Sequence, residues 1–112
     1  MGLTLDIAIV AIACSLIMAR VRRMRLLHLE DEILSALAML GGWCGTTRIS
    51  RHIAFARTRH AWKHCSQDEK ELDPERQHPH PRLLAGAFKA LYAKNKIYVK
   101  GSQEMRQYRI AQ

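Results

Sequence analysis

Strand-forming pattern in this 112-residue chain is concentrated near its end, from Lys94 to Ile110. Ile97 and Val99 alternate with Tyr98 and Lys100, and Tyr108 and Ile110 alternate with Arg109. A polar tip, Gly101 to Glu104, separates the two runs. Alternation at period two marks a strand with one buried face. Gly101 supplies a residue that tolerates the backbone of a tight turn. Upstream, the apolar residues recur at helical spacing instead. The pattern sets the fold class: mainly α with a small β-hairpin.

Three stretches ahead of the hairpin read as helices. In the first, Leu29 to Gly42, the residues Ile33, Leu34, Leu37 and Leu40 form one apolar stripe. Glu30, Asp31 and Glu32 are expected in its first turn, where they complement the helix dipole. Gly41 and Gly42 supply the stop. The second begins near Thr46 or Thr47, either of which can cap it. Ile49, Ile53 and Ala56 are expected in the core, with Phe55 and Trp62 on an adjoining stripe. The third opens on Pro81, whose missing N–H costs nothing at a first helical position. It is expected to bury Leu83, Leu84, Ala87, Phe88, Leu91 and Tyr92. Lys94 and Asn95 close it with a cation and a residue that accepts left-handed backbone. Between the second and third helices, residues 66–81 are acidic and proline-punctuated, and read as an exposed loop.

Residues 3–19 are apolar almost all round, interrupted by Thr4, Asp6 and Ser15. At ~1.5 Å per residue they extend about 25 Å, the lower limit for a bilayer crossing. Arg20, Arg22, Arg23 and Arg25 follow at once, as a membrane-flanking group suited to anionic headgroups. Three readings stay open. The run anchors a cytoplasmic domain to the inner membrane, or it pairs with its copy in a homodimer. Alternatively the true start is Met18 or Met24. On any of them the chain divides into residues 1–25 and a folded domain over 26–112.

Net charge is +8, and all 18 Lys and Arg lie from Arg20 onward. Such an excess favours a polyanion, meaning nucleic acid or an anionic membrane surface. The three cysteines, Cys14, Cys44 and Cys65, are odd in number and scattered, so a reducing compartment is expected.

On the third helix Arg82, Gly86, Lys89 and Ala93 share the face opposite the core, at spacings of four, three and four. Small residues between basic ones let a backbone approach while charge reaches phosphate, as a major-groove helix requires. Arg82 and His80 are the side chains placed to reach bases.

Helix, helix, loop, helix, hairpin is the order of a winged helix-turn-helix domain. ILSALAML with its glycine turn resembles the first helix of the PadR and MarR classes of bacterial regulators, and TTRISRHI resembles their second. LLAGAFKALYAKNKIYV is similar to their third helix running into the wing, and MRQYRI to the returning strand. The resemblance covers roughly residues 29–111. The family joins its second and third helices by a short turn, whereas an acidic insertion intervenes here. What the resemblance implies is a small transcription regulator that binds duplex DNA, commonly as a dimer. It further implies phosphate contacts from Arg48 and Arg51, and backbone tracking by Lys94, Lys96, Lys100, Arg106 and Arg109. The alternative is a membrane-anchored winged helix that serves as a protein-interaction module without DNA binding.

His60, His64 and Cys65, with His78 and His80, invite a metal reading, since residues four apart share a helix face. No C-x-x-C pair accompanies them, and exposed histidines are the expectation, with no metal and no cofactor. Ser35 and Ser50 lack a nucleophile elbow, and Gly41, Gly42 and Gly45 lack the ending of a phosphate loop. An enzyme is not expected.

Overall fold

The computed structural model describes residues 2–111, with side chains from Asp6 onward. The molecule is mainly helical with a small antiparallel sheet. Helix α1 spans Gly2–Leu40, strand β1 Cys44–Gly45, and helix α2 Thr46–Lys63. A 3-10 turn at Pro74–Gln77 precedes helix α3, Pro81–Ala93. Strands β2, Ile97–Lys100, and β3, Gln107–Ile110, close the chain around a second 3-10 turn, Gln103–Met105.

The hairpin forms in the register that the alternation predicts. Ile97 faces Ile110 and Val99 faces Tyr108, with Tyr98 opposite Arg109 on the other side of the sheet. Gly101 adopts φ +85°, and a Cβ there would run into the Met105 carbonyl, so glycine is required. Strand β1 adds a third member, pairing Cys44 with Tyr108, which gives the order β1-β3-β2. Two residues are too few to show an alternation, and the sequence gives no sign of this strand.

The core lies where the three helices meet the sheet. Leu29, Ile33 and Leu37 come from α1, and Ile49 and Ile53 from α2. From α3 come Leu84, Ala87, Phe88 and Leu91, covered by Ile97 and Tyr108. Phe88 and Tyr108 stack with ring centroids 3.9 Å apart and planes 9° from parallel. Each large aliphatic side chain buried here contributes roughly 1.5–3 kcal/mol.

Several sequence expectations are corrected. The first helix does not begin at Leu29; α1 is continuous from Gly2, and the boundary expected near residue 25 falls inside it. No Gly or Pro lies between residues 3 and 40, and the arginine-rich stretch is built of good helix formers. Glu30 and Glu32 are therefore mid-helix, where they act as ion-pair partners. Lys94 Nζ lies 2.9 Å from Glu30 Oε1, and Arg57 Nε lies 2.6 Å from Glu32 Oε2. The N-cap of α2 is Gly45, with no capping side chain, so neither Thr46 nor Thr47 caps it. Ala56 is exposed, and Ala54 and Thr58 take its place inside. Thr58 is tolerated there because its hydroxyl donates to the Ala54 carbonyl at 2.8 Å. Phe55, Trp62 and Tyr92 are 69%, 64% and 61% exposed. The apolar stripes are narrower than the sequence suggests, because each helix is covered on one side only.

The acidic segment is more ordered than a plain loop. Its 3-10 turn packs along α2, and Arg57 Nη1 donates to the Gln77 carbonyl at 3.1 Å. Ser50 Oγ and His78 Nδ1 lie 2.8 Å apart, fixing the approach to α3. The segment thus runs beside α2 and leaves the outer face of α3 uncovered.

From Asp6 to Arg25, α1 projects as an exposed arm. The radius of gyration is 17.9 Å, against ~13 Å for a compact domain of this length. Ile7, Ile9, Val10, Ile12, Leu16 and Ile17 each expose more than half their surface, and they point in all directions around the helix. Among the described residues no helix is long and apolar enough to cross a membrane. The expected anchor begins at residues 3–5, whose side chains lie outside the described residues.

Candidate nucleic-acid interface

The outer face of α3 and the inner face of the hairpin enclose a continuous concave surface. Two adjoining hollows share Ala85, Phe88, Arg106 and Tyr108. One continues to Thr46, Thr47 and Ser50 at the start of α2, the other to Lys89 and Tyr92. The stacked Phe88–Tyr108 pair belongs to both, so the surface has a rigid aromatic base. Its polar rim carries cations, hydroxyls and an amide from Gln103. Among the described residues none that lines it is acidic.

α3 can present this face because of how it is held. Pro81 opens the helix, and His80 Nδ1 accepts from the Arg82 backbone N–H at 3.2 Å. Asn95, at φ +58°, ends it and turns the chain into β2. Its inner side is fixed by core contacts and by the Lys94–Glu30 pair. The outer side leaves Arg82 and Lys89 exposed, one on each side of Ala85.

The residues expected to touch nucleic acid divide into groups. Lys89 and Arg106 line the hollow, and Arg82 lies one turn from it on the same helix. Lys96 and Arg109 are exposed, with Arg109 on the opposite face of the sheet from Tyr108. Lys100 is engaged over the Trp43 ring, 4.5 Å from its centroid. Lys94 is committed to Glu30. His80 caps α3 and uses one ring nitrogen to do so. Arg48 and Arg51 lie elsewhere, in a groove between the end of α1 and α2. Arg20, Arg22, Arg23 and Arg25 are exposed on the α1 arm. The rings of His60 and His64 lie with centroids 4.2 Å apart and planes tilted by 55°, and no metal-binding cluster occurs among the described residues.

Gly86 shows why helical spacing alone was insufficient. A Cβ on it would make an ordinary 3.8 Å contact with Leu26 of α1, so this position faces α1 rather than the open side. Ala85 holds the equivalent small position on the open side. Thr46, Thr47, Ser50, Tyr92 and Gln103 are site residues that sequence reasoning missed. In the sequence the threonines read as helix caps, and Tyr92, four residues from Phe88, reads as core. Its hydroxyl was the available signal.

Among known proteins, no family model, curated protein or solved structure matches the chain.

Proposed function

We propose that residues 26–112 form a winged helix-turn-helix domain that binds duplex DNA, with α3 directed at a groove and the β2–β3 hairpin as the wing. The reading is carried by the acid-free concavity between α3 and the hairpin, which holds Lys89 and Arg106 with Arg82 one turn away, none of them with a carboxylate partner among the described residues. Cations at such a surface position a phosphate backbone, while hydroxyl and amide groups are suited to both phosphate and base edges. The element order and the β1-β3-β2 sheet support it as well. As a bacterial or phage transcription regulator the protein would work by occupancy, blocking or recruiting polymerase, with the α1 arm available for a homodimer.

A second reading keeps the fold and replaces DNA by an acidic partner at an anionic membrane surface. It is favoured by the α1 arm, since a helix apolar on all sides suits a lipid environment better than a one-sided protein contact. The four arginines that follow would meet the headgroups. Fractionation of the full chain beside a shorter one starting at Met24 separates the two readings. Residues 6–23 are exposed, so their loss leaves the core intact. Duplex binding by the short chain supports DNA recognition. Membrane retention of the full chain, with no duplex binding by either form, supports the second reading.

A further inference from the structure

The side of α2 turned away from α3 carries an apolar surface that DNA recognition leaves unused. Phe55 lies in a groove whose other wall includes Met39, near the end of α1, and Met39 is 77% exposed. Trp62, two turns beyond Phe55, extends the apolar strip along α2. Exposing three large apolar side chains on one strip has a cost in water, which covering them would remove.

The charges that line the groove around Phe55 and Met39 are of one sign. Arg48, Arg51, Arg59 and Lys63 line the groove, and no acidic side chain does so among the described residues. Arg48, Phe55, Arg59 and Trp62 follow at spacings of seven, four and three, which places them on one face. The combination is an apolar floor with cationic walls, set between two helices.

We propose that this groove docks an acidic amphipathic helix of a partner protein. Its apolar side chains cover Met39, Phe55 and Trp62, and its carboxylates meet the basic walls. A groove between two helices has the form that receives a third. A DNA backbone would satisfy the arginines but offers nothing to Phe55 and Met39. A bilayer surface would not fill a concavity. Arg48 and Arg51, which sequence resemblance assigns to phosphate, serve this groove instead. Thr46, Thr47 and Ser50, on the other side of α2, remain with the α3 cleft. The two surfaces can therefore be occupied together, as recruitment of a partner to DNA would need.

The test uses the full chain and a fluorescein-labelled peptide of roughly 18 residues, long enough to form a helix on binding. Leu and Phe occupy its i, i+3, i+4 and i+7 positions, with Glu flanking them. Binding is expected in the micromolar range, and a Gln-for-Glu version of the peptide binds at least ~10-fold more weakly. Phe55→Ser, an exposed substitution, weakens binding about 10-fold. Arg59→Ala weakens it to a smaller extent, and neither variant changes the melting temperature. In a Trp43→Phe background the Trp62 emission shifts to the blue on binding. Equal affinity for the Gln peptide, or full affinity in Phe55→Ser, would overturn the proposal. So would loss of duplex or anionic-vesicle binding in Phe55→Ser with the peptide unaffected, which would assign the groove to nucleic acid or lipid.

Discussion

Substituting Arg82→Glu together with Lys89→Glu is expected to lower affinity for duplex DNA at least ~100-fold, with the melting temperature within about 2 °C of the parent. Both side chains are exposed on the outer face of α3, and neither forms a salt bridge among the described residues. Their replacement removes two cations from the rim of the cleft and adds two like charges to a phosphate backbone. A surface substitution far from the core changes stability little, so folding and binding should separate cleanly. Anisotropy with a labelled duplex, run beside a thermal melt, reads both quantities. If the variant unfolds, the side chains are structural and the face is wrongly assigned. If it binds DNA as well as the parent, the cleft does not contact the duplex.

The largest stability effect of a single solvent-reaching side chain is expected at Lys94. Glu30 is 3% exposed and receives the Lys94 ammonium on Oε1, while Oε2 has no hydrogen-bond partner among the described residues. Lys94→Ala leaves a buried carboxylate without its counter-charge. A fully buried pair broken in this way costs 3–5 kcal/mol. The Lys94 side chain is 46% exposed, so water screens part of the interaction and about 2–3 kcal/mol is the appropriate scale. In a domain this small that lowers the melting temperature by roughly 10 °C. Glu30→Gln added to Lys94→Ala should restore most of the loss, because a neutral amide needs no counter-charge. A Lys94→Ala variant that melts with the parent would mean that another group or water balances Glu30. The pair joins the end of α3 to α1, and so helps set the angle at which α3 presents Arg82 and Lys89.

Sequence made some of this legible because local chemistry decides it. The hairpin follows from alternation around Gly101, and the ends of α3 follow from Pro81 and Asn95. Each of those residues restricts its own backbone whatever packs nearby. Other features depend on partners distant in sequence. Glu30, Asp31 and Glu32 imitate a helix start, but the residues before them continue the helix, so the trio lies mid-helix. An apolar stripe locates the buried side of a helix without fixing its edges. Phe55, Trp62 and Tyr92 fell just beyond those edges. The direction in which Arg48 and Gly86 point depends on where α1 crosses, and α1 proved longer than its stripe implied. Of the candidate site, Lys89 on α3 and Arg106 in the hairpin were therefore readable, while Tyr92 and Gln103 were not. The site was unreadable where α1 and α2 decide which side remains open.

The salt dependence of duplex binding by the full chain tests the account most directly. If Arg82, Lys89, Lys96 and Arg106 neutralise phosphates, log K against log salt should fall with a slope of about −3 to −4. The Arg82→Glu, Lys89→Glu variant should show a slope shallower by about two. No measurable duplex binding at low salt, a parental slope near zero, or a variant slope equal to the parent's would contradict it.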